Sequence, residues 1–192
     1  MRNLFSLLLV VIAGLSFTGC GYNSMVTKDE AVKSAWSQVE NVYQRRADLI
    51  PNLVETVKGY ATHEQETFTR VVEARAQATA TKIDPTNLTP EAIKQFQDAQ
   101  GGLSSALSRL MVVVEQYPDL KANQNFLDLQ AQLEGTENRI TVERQKFNET
   151  TQNYNAYIRR FPQLITAAIF GFRKKAYFEA APGASAAPQV KF

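Results

Sequence analysis

The chain has 192 residues, 21 Lys plus Arg against 19 Asp plus Glu, one His and one Cys. A formal net charge of +2 lacks the basic excess of a nucleic-acid-binding face. A single Cys excludes an intrachain disulfide and a Cys-ligated metal site, and a single His excludes a multi-histidine site. Length points to one domain, whose stability must come from packing.

The N-terminus places the protein before any fold argument begins. Arg2 supplies a positive charge, Leu4 to Thr18 is apolar, and the small residues Thr18 and Gly19 precede Cys20. This is the layout of a cleaved export signal. Phe17-Thr18-Gly19-Cys20 resembles a bacterial lipobox, in which the Cys sulfur is acylated and becomes the first mature residue. Phe17 stands where that pattern prefers Leu. Two other readings are an uncleaved anchor and a plain signal peptide. The apolar run falls short of the roughly 20 residues a spanning helix needs, which favours the lipoprotein. The expected division is a signal over residues 1–19, a lipidated start at 20–22, a bundle over 23–172 and a tail over 173–192.

Beyond Asn23 the pattern is helical. Val32, Trp36, Val39, Tyr43, Ala47, Ile50, Val54, Val57, Ala61, Phe68 and Val71 recur four and three apart, with a polar break at Glu64. That spacing draws one stripe on one helix face. Pro51 falls inside it, where a proline removes a hydrogen bond, crowds Ala47 and costs about 3 kcal/mol. The stripe keeps phase across Pro51. The reading is one long kinked helix to about Thr79, up to about 57 residues and about 85 Å if straight.

Lys82 to Thr89 has turn composition, and Thr89-Pro90-Glu91 supplies an N-cap, a first-position proline and a first-turn acid. A second helix follows on Ile93, Phe96, Leu103, Leu107, Leu110, Val114 and Tyr117, with Gln100 at the one missing stripe position. Gly101-Gly102 inside it suggests a close approach or a bend. Pro118 ends that helix, and a third starts between Asp119 and Asn123. It carries Phe126, Leu133, Ile140, Phe147, Tyr154 and Phe161 at a strict seven-residue interval. The companion line Gln130, Glu137, Arg144 and Thr151 is polar; it either faces solvent or pairs inside the bundle. Pro162 stops this helix, Leu164 to Phe172 is short and apolar, and the Ala/Pro-rich end has the composition of an extended tail. Short links between long amphipathic helices predict an all-α, antiparallel up-down bundle of three to four helices.

Two residue groups are candidate sites. Arg45, Arg46, Asp48 and Asn52 form the densest polar cluster of the first helix, and Glu137, Asn138, Arg139 and Arg144 that of the third. One reading is a buried cross-helix network. The other is two solvated faces, where surface pairs contribute about 0–1 kcal/mol. The second group is Phe170, Phe172, Arg173, Lys174, Lys175, Tyr177 and Phe178, a basic-aromatic patch suited to a membrane interface. Its competing reading has the aromatics folded onto the bundle and the cations wet. His63-Glu64 begins a zinc-protease motif, but Thr67 occupies the second His position. No catalytic triad or convergent acid pair is evident; no cofactor and no small-molecule substrate are expected.

The residues that resemble a known family are Tyr22-Asn23, Arg45-Arg46-Ala47-Asp48-Leu49-Ile50-Pro51-Asn52-Leu53-Val54, Val57-Lys58-Gly59-Tyr60-Ala61 and His63-Glu64. Leu133-Glu134-Gly135-Thr136-Glu137-Asn138-Arg139-Ile140, Tyr154-Asn155, Arg159-Arg160-Phe161-Pro162, Phe170-Gly171-Phe172 and Tyr177-Phe178-Glu179 continue the match. Together they resemble the bacterial LemA family. The resemblance implies an antiparallel helical bundle attached to a membrane by its N-terminus, without an established biochemical role. Such proteins are described with an uncleaved N-terminal transmembrane helix, and the lipobox-like Cys20 departs from that scheme. The functional expectation is a non-enzymatic envelope module held at the membrane through acylated Cys20. It would bind an envelope protein or a second copy, with membrane sensing or remodelling as the alternative.

Overall fold

The computed structural model describes residues 2–179, with side chains described from Gly21 onward. Six helices follow in order: α1 Arg2–Lys58, α2 Gln65–Ala80, α3 Pro90–Val114, α4 Pro118–Lys121, α5 Gln124–Ile158 and α6 Gln163–Phe170. Among the described residues there is no strand, and the long helices form the expected antiparallel bundle. The lipidation expected at Cys20 lies outside the residues with described side chains. Among the described residues no helix is long and apolar enough to cross a membrane.

The first helix is long and carries Pro51, as its periodicity predicts, but it ends at Lys58 rather than near Thr79. The chain reverses over residues 59–64 and returns as α2. Backbone amides of Tyr60 and Ala61 donate to the Val57 carbonyl, and that of Glu64 to the Ala61 carbonyl. Ala61, Phe68 and Val71 are all buried, so the apolar spacing passes through the turn unbroken. Periodicity alone could not reveal the reversal; the polar Glu64 marked it.

Pro51 has a specific structural consequence. Lacking an N–H, it leaves the Ala47 carbonyl without its helical donor. The Arg75 Nε of α2 donates to that carbonyl at 2.7 Å. The interruption in α1 is therefore a docking point for α2.

Helices α1 and α5 form the longest interface. Lys28 lies over Tyr157, Trp36 packs on Phe147 and Arg46 meets Glu137, an antiparallel order. Thr89 caps α3 by accepting from the Ala92 N–H at 3.2 Å, and Asn123 caps α5 by accepting from the Phe126 N–H at 3.1 Å. Gly101 and Gly102 run through α3 without breaking it. An added Cβ at either would meet nothing within 4 Å, so no close helix approach requires them.

The core has two parts. One gathers Val32, Trp36, Tyr43, Phe96, Ile140 and Phe147 with their neighbours. The other gathers Ile50, Leu53, Val57, Phe68, Leu103 and Leu133 with theirs. α2 covers only the second part. Over the first, the chain after α6 returns as an extended strap, residues 172–179.

Side-chain amides satisfy the strap's backbone. Asn155 Oδ1 accepts from the Lys175 N–H at 3.0 Å, and its Nδ2 donates to the Lys175 carbonyl at 2.8 Å. Asn148 treats Phe178 the same way, at 2.9 and 3.0 Å. Seven residues of helix rise about 10.5 Å, close to the length of three extended residues, so both clamps fit one straight strap. From α3, Gln97 Nε2 donates to the Glu179 carbonyl at 3.0 Å.

Phe178 is the strap's anchor in the core. Its ring stacks on Trp36 at 5.7 Å and 18° and meets Phe147 at 5.4 Å. The bundle thus continues past the boundary expected at residue 172. Phe178→Ala should cost roughly 3–5 kcal/mol in urea unfolding and shift the emission of Trp36, the chain's one tryptophan, to the red. A loss below about 1 kcal/mol with unchanged emission would contradict a core role for the strap.

Candidate functional site

The two core parts meet at a polar layer. α1 leaves the first part at Tyr43 and enters the second at Ile50; α3 does so between Phe96 and Leu103, and α5 between Ile140 and Leu133. Arg46 sits in this gap at 1% exposure. Its Nη1 donates to Glu137 Oε1 at 2.8 Å and to Ser104 Oγ at 3.0 Å. Its Nη2 donates to Gln100 Oε1 at 2.5 Å and to the Gln100 carbonyl at 3.3 Å. Gln100 Nε2 then donates to the Ala78 carbonyl of α2 at 3.2 Å. Together with Arg75 on the Ala47 carbonyl, this layer joins α1, α2, α3 and α5 at one level.

Burial of a guanidinium is tolerable only where charge and hydrogen bonds replace water. The planar fork suits several acceptors in one plane, and the Tyr43 ring lies 5.1 Å from the guanidinium carbon. Glu137 is 48% exposed at its side chain, so the pair is half open to solvent. The site can hold a fixed positive charge at the base of a groove. That groove, between α3 and α5, has a volume of about 610 Å³ and includes Lys94, Asp98, Glu137 and Arg144 in its lining.

The structure joins only part of the expected network. Arg46 and Glu137 are paired. Arg45, Asp48, Asn52, Asn138 and Arg139 are exposed. Asp48 accepts from Gln44 at 2.7 Å. Arg144 is half-buried, donates to the Glu179 carbonyl at 3.0 Å and lies 4.7 Å from the Phe178 ring; it braces the strap. Gln100 and Ser104 complete the layer and were not among the expected site residues. Gln100 did carry a signal, as the one polar residue on an otherwise apolar stripe.

The basic-aromatic group divides in the same way. Phe178 and Lys175 are buried, Phe172 is half-buried, and Phe170, Arg173, Lys174 and Tyr177 are exposed. Lys175 Nζ pairs with Asp29 Oδ1 at 2.9 Å, and Lys33 pairs with the other Asp29 oxygen at 2.9 Å. Partial burial disfavours the Asp29 carboxylate, but hydrogen bonds from Lys175 and Lys33 outweigh it and hold its pKa below the usual range. Tyr154 donates to the Arg173 carbonyl at 3.0 Å, and burial pushes its phenol pKa up to about 12. His63 is exposed in the α1–α2 turn. No group of three or more His, Cys, Asp or Glu side chains able to hold a metal ion occurs among the described residues.

Comparison with known proteins places this geometry. The model of the LemA family matches residues 35–192. This chain belongs to the LemA family. Magnetosome protein MamQ 2 of Paramagnetospirillum magneticum is 30% identical over 191 residues, spanning 91% of this chain and 70% of the relative. Magnetosome protein MamQ of Magnetospirillum gryphiswaldense is 30% identical over 178 residues, spanning 84% and 65%. Protein LemA of Metamycoplasma hominis is 24% identical over 140 residues, spanning 72% and 60%. The LemA match opens one residue before Trp36 and takes in the polar layer and the strap. The apolar N-terminal segment lies before it.

A double-mutant cycle tests the layer of this LemA-family chain. Arg46→Ala should destabilise by roughly 1–3 kcal/mol, since it strands buried Gln100, while half-exposed Glu137 can return to water. Coupling between Arg46→Ala and Glu137→Ala should exceed about 1 kcal/mol, while that between Asp48→Ala and Glu137→Ala should be near zero. The reverse order of coupling would overturn the assignment.

Proposed function

We propose that this LemA-family protein is a non-enzymatic helical bundle, anchored at the bacterial cell membrane, that acts as an interaction or assembly module of the envelope. Its anchor is Cys20, acylated after removal of residues 1–19, and the bundle lies on the non-cytoplasmic side. Its partner is another envelope protein or a second copy of the chain. Nucleic acid and small-molecule substrates have no part in this reading.

The open groove between α3 and α5 carries the proposal. Its lining mixes exposed charges, Lys94 and Asp98, with the fixed Arg46–Glu137 pair, and no nucleophile–base pair or convergent acids stand out in it. Such a surface suits charge-guided docking of another polypeptide better than transformation of a small molecule. The MamQ relatives are named for the magnetosome and not for a reaction, which supports the same direction. The apolar segment before Cys20 supports the anchor.

The test is crosslinking in the membrane fraction of cells making the full chain, read by mass spectrometry. A defined adduct is expected, lost in Lys94→Glu, with Cys20 carrying acyl chains in wild type and an unprocessed N-terminus in Cys20→Ser. Recovery of monomer alone would contradict the interaction module. An unmodified, uncleaved Cys20 in wild type would contradict the lipid anchor.

A further inference from the structure

The end of the bundle from which the N-terminal segment departs carries an unpartnered apolar element. Helix α6 buries Thr166 and Ala167. On its other side Leu164 is 54% exposed, Ile165 54% and Ile169 70%, and Phe161 just before it is 81% exposed. Residues 164, 165, 168 and 169 share one face of α6, so these side chains form one patch, with exposed Phe161 in the turn that leads into it. Patches of this kind mark surfaces that another phase or partner covers.

Three observations say what covers it. Tyr22 packs against Phe170 at 4.8 Å and Phe172 at 5.9 Å, so the apolar N-terminal segment leaves the bundle beside α6. The flanks of α6 are basic: Arg159 and Arg160 before it and Arg173 and Lys174 after it are all exposed. Finally, the chain has no Asp or Glu in residues 1–28 or 150–178, and these are the segments that converge here. Asp29, the first carboxylate of the chain, is held by Lys175 and Lys33.

We infer that α6 is a second membrane contact: its Leu164–Ile169 face, with Phe161 of the preceding turn, enters the interfacial layer of an anionic bilayer while Arg159, Arg160, Arg173 and Lys174 reach the headgroups. An apolar face with cationic borders is the composition of an element lying in the membrane plane, and long basic side chains extend their charges to the headgroup level. The N-terminal segment holds the bundle at the membrane, and α6 sets its orientation. The inference rests on the anchored reading above and adds a site that neither the anchor nor the groove contains.

The test uses the full chain with vesicles of phosphatidylglycerol and phosphatidylethanolamine, with and without brominated acyl chains. Tryptophan is introduced by Ile169→Trp, or by Val112→Trp on exposed α3 as the distant control; buried Trp36 is a common background. The chain should float with the vesicles, and bromolipid should quench Ile169→Trp severalfold more than Val112→Trp. Arg173→Glu with Lys174→Glu should bring that quenching close to the control, since each headgroup cation shifts binding by about fivefold. Flotation with equal quenching at both positions overturns α6 docking while leaving the anchor intact. Blue-shifted Ile169→Trp emission without quenching assigns the patch to a protein partner and overturns it as well. Quenching indifferent to charge reversal overturns the anionic-lipid part, and failure to float overturns anchor and docking together.

Discussion

A positive charge buried in the C-terminal quarter of α1 constrains the positions of the three helices packed beside it. The guanidinium of Arg46 has left water, a loss of several kcal/mol unless acceptors replace it. Those acceptors come from two other helices, Gln100 and Ser104 on α3 and Glu137 on α5. The carbonyl of the next residue, Ala47, is freed by Pro51, and Arg75 of α2 donates to it. A one-turn slide of any neighbour would strand a buried polar group. Apolar packing alone tolerates such slides much better, because volume-conserving exchanges such as leucine for isoleucine cost less than about 1.5 kcal/mol. The polar layer therefore sets register, and the apolar parts on either side supply most of the stability.

The second constraint is closure of the end that α2 does not reach. An extended segment packed on helices cannot satisfy its backbone through a sheet, and buried N–H and C=O groups left alone would each cost about 1–3 kcal/mol. Asn148, Asn155 and Gln97 take the place of a neighbouring strand, while Phe178 fills the space around Trp36. The strap also brings Lys175 onto Asp29, midway along α1. Strap, α6 and the Tyr22–Asp29 stretch of α1 thereby become one unit at one end of the bundle, which is how the fold connects to the proposed membrane contact.

Helix content, the antiparallel order and the cap at Thr89 were legible because periodicity and capping chemistry are local. The α1–α2 turn was not, because Ala61, Phe68 and Val71 stay in phase across it, and a stripe reports which face is apolar without reporting chain direction. Pairing of Arg46 with Glu137 was legible as a pair of polar clusters, but the exposed Asp48 belonged to the same cluster and looked equally suited. Gln100 was visible as a gap in a stripe, and only the bundle shows that Arg46 fills it. The strap was hidden for a different reason. Asn148 and Asn155 are ordinary helix-surface residues until an extended chain lies across them, and Phe178 follows a basic run that reads as solvent-facing. Interactions that depend on two distant segments meeting leave little trace in either one.

The central claim is that the Arg46 layer joins the two core parts into a single cooperative unit. Native-state hydrogen exchange on the full chain, compared with Arg46→Met, tests it most directly. In the wild type the slowest amides around Trp36 and those around Leu53 should exchange with one common free energy. In Arg46→Met they should separate into two classes. Two classes already present in the wild type, or one class surviving in Arg46→Met, would contradict the claim.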